Sequence, residues 1–303
     1  MAASKVENLT QARDSLPNVY TNVTAREIDF VSRFGRNWEA LREVLGIMRP
    51  IKKEAGSKLV SYTASVTLED GDVDPGNVIP YSKATVVQSD HADLSLKKYA
   101  KAVPVEDVDK YGAEIAVQKT DEAFLNELQT VVMDDFYTNL TDDTYAMTGT
   151  DATFQMAIAM AIGKVRDKFK KMHKNISSVV VFVNTLDAYE YLGAAEISIQ
   201  SLFGLDYVEN FMGAQTMILS SEIERGTVIA VPSDNLVLYY VDPSNEFEQL
   251  GLVYTTDGET NLIGFHAQGN YGTAVGESFA LMGLKLWMEY ADGVAINTID
   301  ANP

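Results

Sequence analysis

Residues 58–87 read KLVSYTASVTLEDGDVDPGNVIPYSKATVV, and this stretch decides the fold prediction. Residues 59–68 alternate with a period of two and are rich in residues that favour strands. The acidic, turn-rich segment 69–76 follows, and an extended pattern resumes at residues 78–81 and 84–87. The stretch therefore predicts a long two-stranded excursion with an acidic tip. Because so polar a pair of strands is poorly stable alone, we expect it to lie on a neighbour.

Helical patterns flank this excursion on both sides. Residues 25–46 carry apolar side chains at spacings of three and four, after a polar N-terminal arm of about 24 residues that we expect to be flexible. Downstream, Thr120 is a candidate N-cap for a long helix over about 121–139. A further helix is predicted to begin after Asp151 or Thr153, and lysines gather at its C-terminal end, where they suit the helix dipole.

The middle of the chain alternates strands with a short helix. Residues 179–183 form an unbroken apolar run of strand length, and Asn184 and Thr185 are candidate caps for a helix that ends near Leu192. Further strands are predicted at residues 217–219, 228–231 and 236–241. This order predicts an α/β or α+β core.

The C-terminal end has the pattern of a β hairpin. Residues 284–290 alternate, Asp292-Gly293 supplies a two-residue turn, and residues 294–299 extend again. Strands and helices are thus mixed along the whole chain, and the predicted fold class is α+β.

Composition excludes several classes of protein. The 303 residues contain no Cys, so disulfides and thiolate metal sites are absent. The sequence shows no signal-peptide core and no apolar stretch of membrane length, so we expect a soluble intracellular protein with no membrane partner. Its net charge of −19 disfavours a protein that wraps DNA. Residues 1–60 alone contain 10 Lys and Arg against 7 Asp and Glu. This balance indicates either a solvated surface or an arm that binds an acidic partner or nucleic acid.

No set of residues required by a reaction is visible in the sequence. Residues 70–74 have the D-x-D-x-D spacing of a calcium loop, but Pro75 and Tyr81 stand where Gly and Glu are needed. Phosphate-binding glycine loops do not occur. The three histidines lie far apart and outside any metal-binding spacing: His91, His173 and His266. We therefore expect no catalytic residue, no metal and no cofactor, and predict that the protein is not an enzyme.

The order of arm, acidic-tipped excursion, long helix, α/β middle and closing strands resembles the major capsid protein of tailed bacteriophages, a fold shared with encapsulin shells. The resemblance covers nearly the whole chain and is carried by residues 68–82, 183–192 and 286–295. We expect the closest relatives to be capsid proteins of similar length from long-tailed phages of Gram-positive hosts. An encapsulin-type nanocompartment shell is the alternative, and a soluble α+β enzyme unrelated to shells is a third class.

The resemblance implies a division of the chain into four parts. These are an N-terminal arm and helix at 1–56, an extended β loop at 57–99, a peripheral domain with the long helix at 100–147 and 262–303, and an α/β axial domain at 148–261. It also implies that copies self-assemble into hexamers and pentamers of an icosahedral phage head. The head encloses double-stranded DNA, so the expected location is the virion capsid, assembled in the host cytoplasm.

The resemblance further implies the partners of the chain. These are the chain itself, a portal, packaged double-stranded DNA bound without sequence specificity and, as an optional partner, a decoration protein. Because the chain leaves no room for a scaffolding segment ahead of the arm, we expect a separate scaffolding protein. The net charge of −19 predicts that the wall repels the packaged DNA rather than binding it strongly.

The excursion supplies the candidate assembly contacts. A flat subunit with a protruding loop buries spare apolar surface only against its neighbours. We expect the acids of the tip to pair with the bases that follow the first helix, or with another basic patch, on a neighbouring copy, and salt to weaken the pairing. The candidate contacts are the apolar residues Tyr62, Ile79 and Tyr81, the acids Asp70, Asp72 and Asp74, and the bases Arg49, Lys52 and Lys53.

Overall fold

The computed structural model describes residues 17–47, 50–70, 72, 78–79, 81–193, 199–202, 205–243, 252–259 and 261–300. Five α-helices lie in these residues: α1 (Pro17–Leu45), α2 (Val105–Tyr111), α3 (Ala113–Leu140), α4 (Phe154–Lys171) and α5 (Thr185–Leu192). None of the helices in this described part is long and apolar enough to cross a membrane.

The described strands form three sheets. The first strands are β1 (Ile51–Lys52), β2 (Lys58–Thr67), β3 (Lys83–Asp93), β4 (Lys97–Pro104), β5 (Met147–Asp151), β6 (Val179–Asn184) and β7 (Gln200–Leu202). They are followed by β8 (Leu205–Glu209), β9 (Thr216–Ser220), β10 (Thr227–Pro232), β11 (Leu236–Val241), β12 (Ile263–Asn270), β13 (Val275–Met288) and β14 (Ala295–Ile299). One sheet has seven strands, one has five and one is the isolated pair β2–β3.

The seven-stranded sheet has the order β5-β14-β10-β6-β9-β8-β7. Its central strand β6 pairs in parallel with β9 and antiparallel with β10, and it is buried at every position. The apolar stripe of α4 packs on one face of the sheet, and side chains of α1 and α3 pack against the other. A strand covered on both faces requires a continuous apolar sequence, which residues 179–183 supply.

The five-stranded sheet is organised around the long strand β13. Its first half pairs with β12 on one side and β4 on the other, and its second half pairs with β11. At its edge, β1 pairs in parallel with β11. Helix α1 packs on this sheet, where Phe30 stacks on Phe265 with ring centroids 4.1 Å apart. The N-terminal helix therefore belongs to the core of the subunit.

Two predicted helix starts are wrong, and two predicted caps are confirmed. Helix α1 begins at Pro17, so residues 17–24, expected to be flexible, are helical. Helix α3 begins at Ala113 instead of at the predicted cap Thr120, whose hydroxyl donates to the Ala116 carbonyl at 2.7 Å. The break that precedes it lies at Gly112, whose φ of +84° favours glycine. By contrast, Thr153, one of the two predicted starts, caps α4, and Asn184, one of the two predicted caps, caps α5.

The predicted C-terminal hairpin is wrong because β13 and β14 lie in different sheets. Strand β14 pairs antiparallel with β10 and in parallel with β5. The chain is redirected at Tyr290, whose backbone N–H donates to Asn235 at 2.7 Å and whose carbonyl accepts from Asn235 at 2.9 Å. Asp292-Gly293 lies in a 3₁₀ turn, where a Cβ on Gly293 would stand 2.7 Å from the Phe169 ring. This glycine therefore permits close packing instead of a hairpin turn.

Candidate functional site

The pair β2–β3, which we call the ribbon, projects from the five-stranded sheet. Its two strands are antiparallel and, within the described residues, pair only with each other. The ten residues of β2 span roughly 33 Å at about 3.3 Å per residue. The predicted second strand differs in extent, since β3 begins at Lys83 and residues 78–79 and 81 precede it. The prediction of a long two-stranded excursion is nevertheless confirmed.

The root of the ribbon is fixed to the subunit. A register shift between Lys58 and Val60 marks a bulge, and Leu59 at the bulge is only 2% exposed. Leu59 and Leu94 pack on Val237 and Tyr239 of β11. Backbone hydrogen bonds join Leu94 to residues 56 and 57. Among the described residues, the far part of the ribbon is therefore the part left without cover from its own chain.

That far part exposes large apolar side chains. The three predicted apolar contacts are all exposed, with Tyr62 at 55%, Ile79 at 72% and Tyr81 at 94% of their surface. Four further apolar side chains of the same region are exposed: Val66, Leu68, Val78 and Val86. A cluster of exposed apolar groups of this size marks an interaction surface in a soluble protein.

The acidic tip is exposed beside these apolar groups. Asp70 and Asp72 are open to solvent, and the Asp70 carboxylate accepts the backbone N–H of Asp72 at 3.0 Å. The predicted contact Asp74 lies outside the described residues. Across the described part of the chain, no group of three or more His, Asp or Glu side chains is placed to hold a metal ion.

Two of the three predicted basic partners of the tip, Lys52 and Lys53, lie near the root of the ribbon. Lys52 of β1 forms an ion pair with Asp242 at 2.6 Å. The Lys53 ammonium lies 6.0 Å from the centroid of the Tyr239 ring. The third base, Arg49, lies outside the described residues. Lys52 and Lys53 thus already make contacts inside their own subunit.

A buried ion-pair cluster, which sequence reasoning missed, holds α1 to the body of the subunit. Arg26 of α1 donates twice to Asp121 of α3, at 2.6 and 2.7 Å, and once to Ser278 of β13 at 2.9 Å. Lys101 of β4 reaches the same carboxylate at 2.5 Å. Burial raises the pKa of Asp121, but the hydrogen bonds and charges of Arg26 and Lys101 outweigh it and hold the pKa below its ordinary value.

The neighbouring residue Glu27 forms a second connection. Its carboxylate accepts the Ala267 N–H at 2.6 Å and the Thr255 hydroxyl at 2.7 Å. The His266 Nδ1 lies 3.3 Å from the same carboxylate. No local sequence pattern connects Asp121 with Arg26, which lies 95 positions away. The contacts of Arg26 and Glu27 hold α1 against the sheet from which the ribbon projects.

No family model and no curated protein matches the sequence. Among solved structures, the fold is similar to the cyanophage A-1(L) capsid asymmetric unit at a TM-score of 0.53 and 11% identity, covering 85% of this chain and 91% of that one. A virus-like particle from Pyrococcus furiosus gives a TM-score of 0.49 at 12% identity, covering 89% and 97%. The holo-SrpI encapsulin complex from Synechococcus elongatus PCC 7942 gives 0.46 at 12% identity, covering 86% and 90%. The cyanophage match shows that the chain shares the mixed α+β fold of a phage capsid protein.

Proposed function

We propose that this chain is the major capsid protein of a tailed bacteriophage. Its copies self-assemble into hexamers and pentamers of an icosahedral head that encloses double-stranded DNA. The observation that carries the proposal is the fold match to a phage capsid chain over most of both chains. The protein acts as a structural subunit, not as an enzyme. Its place is the virion, after assembly in the host cytoplasm.

The ribbon supports an assembling subunit over a monomer. Its root is buried in the subunit, while Ile79 and Tyr81 near its tip are 72% and 94% exposed. Surface of this kind gains stability only when another chain covers it. In the proposed head, a neighbouring subunit covers the ribbon, and Tyr62, Ile79 and Tyr81 are contact residues.

The proposed division of the chain follows the resemblance. The arm and helix lie at 1–56, the extended loop at 57–99, the peripheral domain at 100–147 with 262–303, and the axial domain at 148–261. The loop boundary at residue 99 falls inside β4, which pairs with β13 of the C-terminal part. Helix α1 also packs on β12, so the arm and peripheral parts share one core.

The proposed partners follow from the same role. A separate scaffolding protein directs assembly, a portal occupies one vertex, and the packaged DNA is held without sequence specificity. A decoration protein is an optional addition, and the proposed host is a Gram-positive bacterium infected by a long-tailed phage. A wall with a net charge of −19 repels DNA and leaves it mobile inside the head.

The contents of purified particles test this proposal against an encapsulin-type compartment. The chain is expressed with a candidate scaffolding protein, and the particles are examined by cryo-electron microscopy and mass spectrometry. A phage head precursor is expected to contain the scaffolding protein and no enzyme. Particles that instead retain a folded enzyme through a short peptide on their inner wall would contradict the proposal and establish a compartment.

A further inference from the structure

Positive charge is concentrated at one end of α4. Residues 164–174 read KVRDKFKKMHK and contain six of the 24 Lys and Arg residues of the chain against one Asp. This segment therefore carries a net charge of +5 in a chain whose net charge is −19. Lysines at a helix C-terminus interact favourably with the helix dipole, but that effect falls off within the last turn.

Three of the six bases are used inside the subunit. The Lys164 ammonium donates to the Asn297 side chain at 2.7 Å, Lys168 pairs with Asp292 at 2.7 Å, and the Lys174 ammonium lies 3.6 Å from the centroid of the Tyr290 ring. A fourth, Lys171, pairs with Asp167 on the surface. The remaining two, Arg166 and Lys170, are exposed and join no ion pair within the described residues.

Arg166 and Lys170 lie on the same face of the helix. They are separated by four positions, so their side chains are neighbours on the helix surface. The N-terminal half of the same exposed face is apolar, with Met156 at 53% and Met160 at 45% exposure. The outer face of α4 therefore carries exposed apolar side chains in its N-terminal half and exposed bases, beside the Asp167–Lys171 ion pair, in its C-terminal half.

The far end of the ribbon has the complementary composition. The exposed apolar residues Leu68, Ile79 and Tyr81 stand beside exposed acids. These acids are Glu69, Asp70 and Asp72. Both surfaces are exposed in the same subunit, so they do not cover each other within one chain.

We propose that the ribbon tip of one copy docks on the outer face of α4 in a second copy. In this contact Asp70 and Asp72 face Arg166 and Lys170, and the apolar residues of the tip cover Met156 and Met160. Complementary charge sets the register of such an interface, and the apolar area supplies affinity. The inference rests on the proposed function, and it names the surface that receives the ribbon.

The bases at the ribbon root are the competing receivers. Lys52 and Lys53 contact Asp242 and Tyr239 of their own subunit, so a tip bound there must displace or share those contacts. Arg166 and Lys170 need no such exchange. This difference favours α4 as the receiver.

Charge reversal tests the contact through shell yield, measured by sedimentation and negative-stain electron microscopy. Asp70→Lys with Asp72→Lys, and separately Arg166→Glu with Lys170→Glu, are each expected to lower the yield at least tenfold. The four substitutions combined are expected to restore most of it. The matched control is Lys97→Glu with Lys98→Glu, an equal charge change at exposed residues of β4, which is expected to assemble like wild type.

A disulfide test is independent of how well the charge variants fold. Because the chain contains no Cys, any disulfide formed after two substitutions joins the introduced residues. Asp72→Cys with Lys170→Cys is expected to give covalently linked chains in oxidised shells. Asp72→Cys with Lys98→Cys is the control. Asp72→Cys with Lys53→Cys tests the competing receiver.

The outcomes separate the inference from the proposed function. Wild-type chains that never form shells would contradict both. If wild-type shells form but the combined charge variant does not recover, or the disulfide forms through Lys53→Cys and not through Lys170→Cys, only the docking of the tip on α4 is overturned.

Discussion

Strand β6 and the ribbon are both rich in residues that favour strands, yet their environments are opposite. All six residues of β6 are buried between two strands and two layers of side chains. Among the described side chains of the ribbon, the buried ones lie at its root, where Leu59 and Leu94 pack on β11. The difference shows that one part of the chain is stabilised within the subunit, while the other exposes surface that only another chain can bury.

The largest loss of subunit stability is expected from a cavity in the seven-stranded sheet. Phe182 of β6 is fully buried and lies 5.6 Å from the Phe136 ring, centroid to centroid. Phe182→Ala is expected to lower the free energy of unfolding by about 4 kcal/mol, since it removes buried area and leaves a void. Urea denaturation measures this change. Tyr62→Ala in the ribbon is the matched control and is expected to leave the free energy nearly unchanged.

Removal of the buried carboxylate of α3 is expected to cause the next largest loss of stability. Asp121→Asn leaves Arg26 and Lys101 without their counter-charge and is expected to cost about 3 kcal/mol at pH 7. Denaturation by urea measures it, and Glu122→Gln, at the exposed neighbouring residue, is the control and is expected to have little effect.

A comparison of wild type and Asp121→Asn at different pH values tests the role of this carboxylate further. The folded pKa of Asp121 is lower than its ordinary value of 3.8, so its contribution is fully present above that value. It is lost as the pH falls through the folded pKa. The stability difference between wild type and Asp121→Asn is therefore expected to shrink below about pH 4. A difference that stays constant with pH would contradict the role given to this carboxylate.

Substitution of Asn235, at the junction between the two large sheets, is expected to cause a smaller loss of stability. Asn235 is fully buried and satisfies both backbone groups of Tyr290. Asn235→Ala leaves the Tyr290 N–H unpaired and removes one of two donors to its carbonyl, which also accepts the Gly293 N–H. We expect a loss of about 2 kcal/mol in thermal or urea unfolding. Asn235→Asp keeps the acceptor and loses the donor, so it is expected to be less stable than wild type as well. Unchanged unfolding of both variants would show that Asn235 does not direct the chain between the sheets.

The smallest effect on subunit stability is expected at the ribbon tip. Ile79→Ser with Tyr81→Ser changes side chains that are already exposed, so the unfolding free energy of the isolated subunit is expected to change by less than about 0.5 kcal/mol. Shell yield in sedimentation is expected to fall strongly because the contact surface is lost. Normal yield from this variant would show that the tip is not an assembly surface.

The features predicted well from the sequence are those fixed by local pattern. Strand β6, the caps Thr153 and Asn184 and the paired strands of the ribbon each follow from side-chain periodicity or from one capping side chain within a few residues. The start of α3 was missed because the break at Gly112 depends on backbone conformation, while Thr120 only has the composition of a cap.

The features missed depend on residues distant in sequence. Asp292-Gly293 has the composition of a hairpin turn, but Asn235, 55 positions before Tyr290, redirects the chain into another sheet. The pairing of Arg26 with Asp121 spans 95 positions and leaves no periodic signal. At the candidate site, the exposure of the ribbon was predicted, whereas the engagement of Lys52 by Asp242 required the placement of β1 beside β11.

The state of assembly shows whether this chain is a shell subunit. The purified chain is examined alone and with a candidate scaffolding protein, by sedimentation velocity and negative-stain electron microscopy of the same samples. Closed shells, or rings of five and six subunits, are expected. A stable, monodisperse monomer in both preparations would contradict the role of a shell subunit.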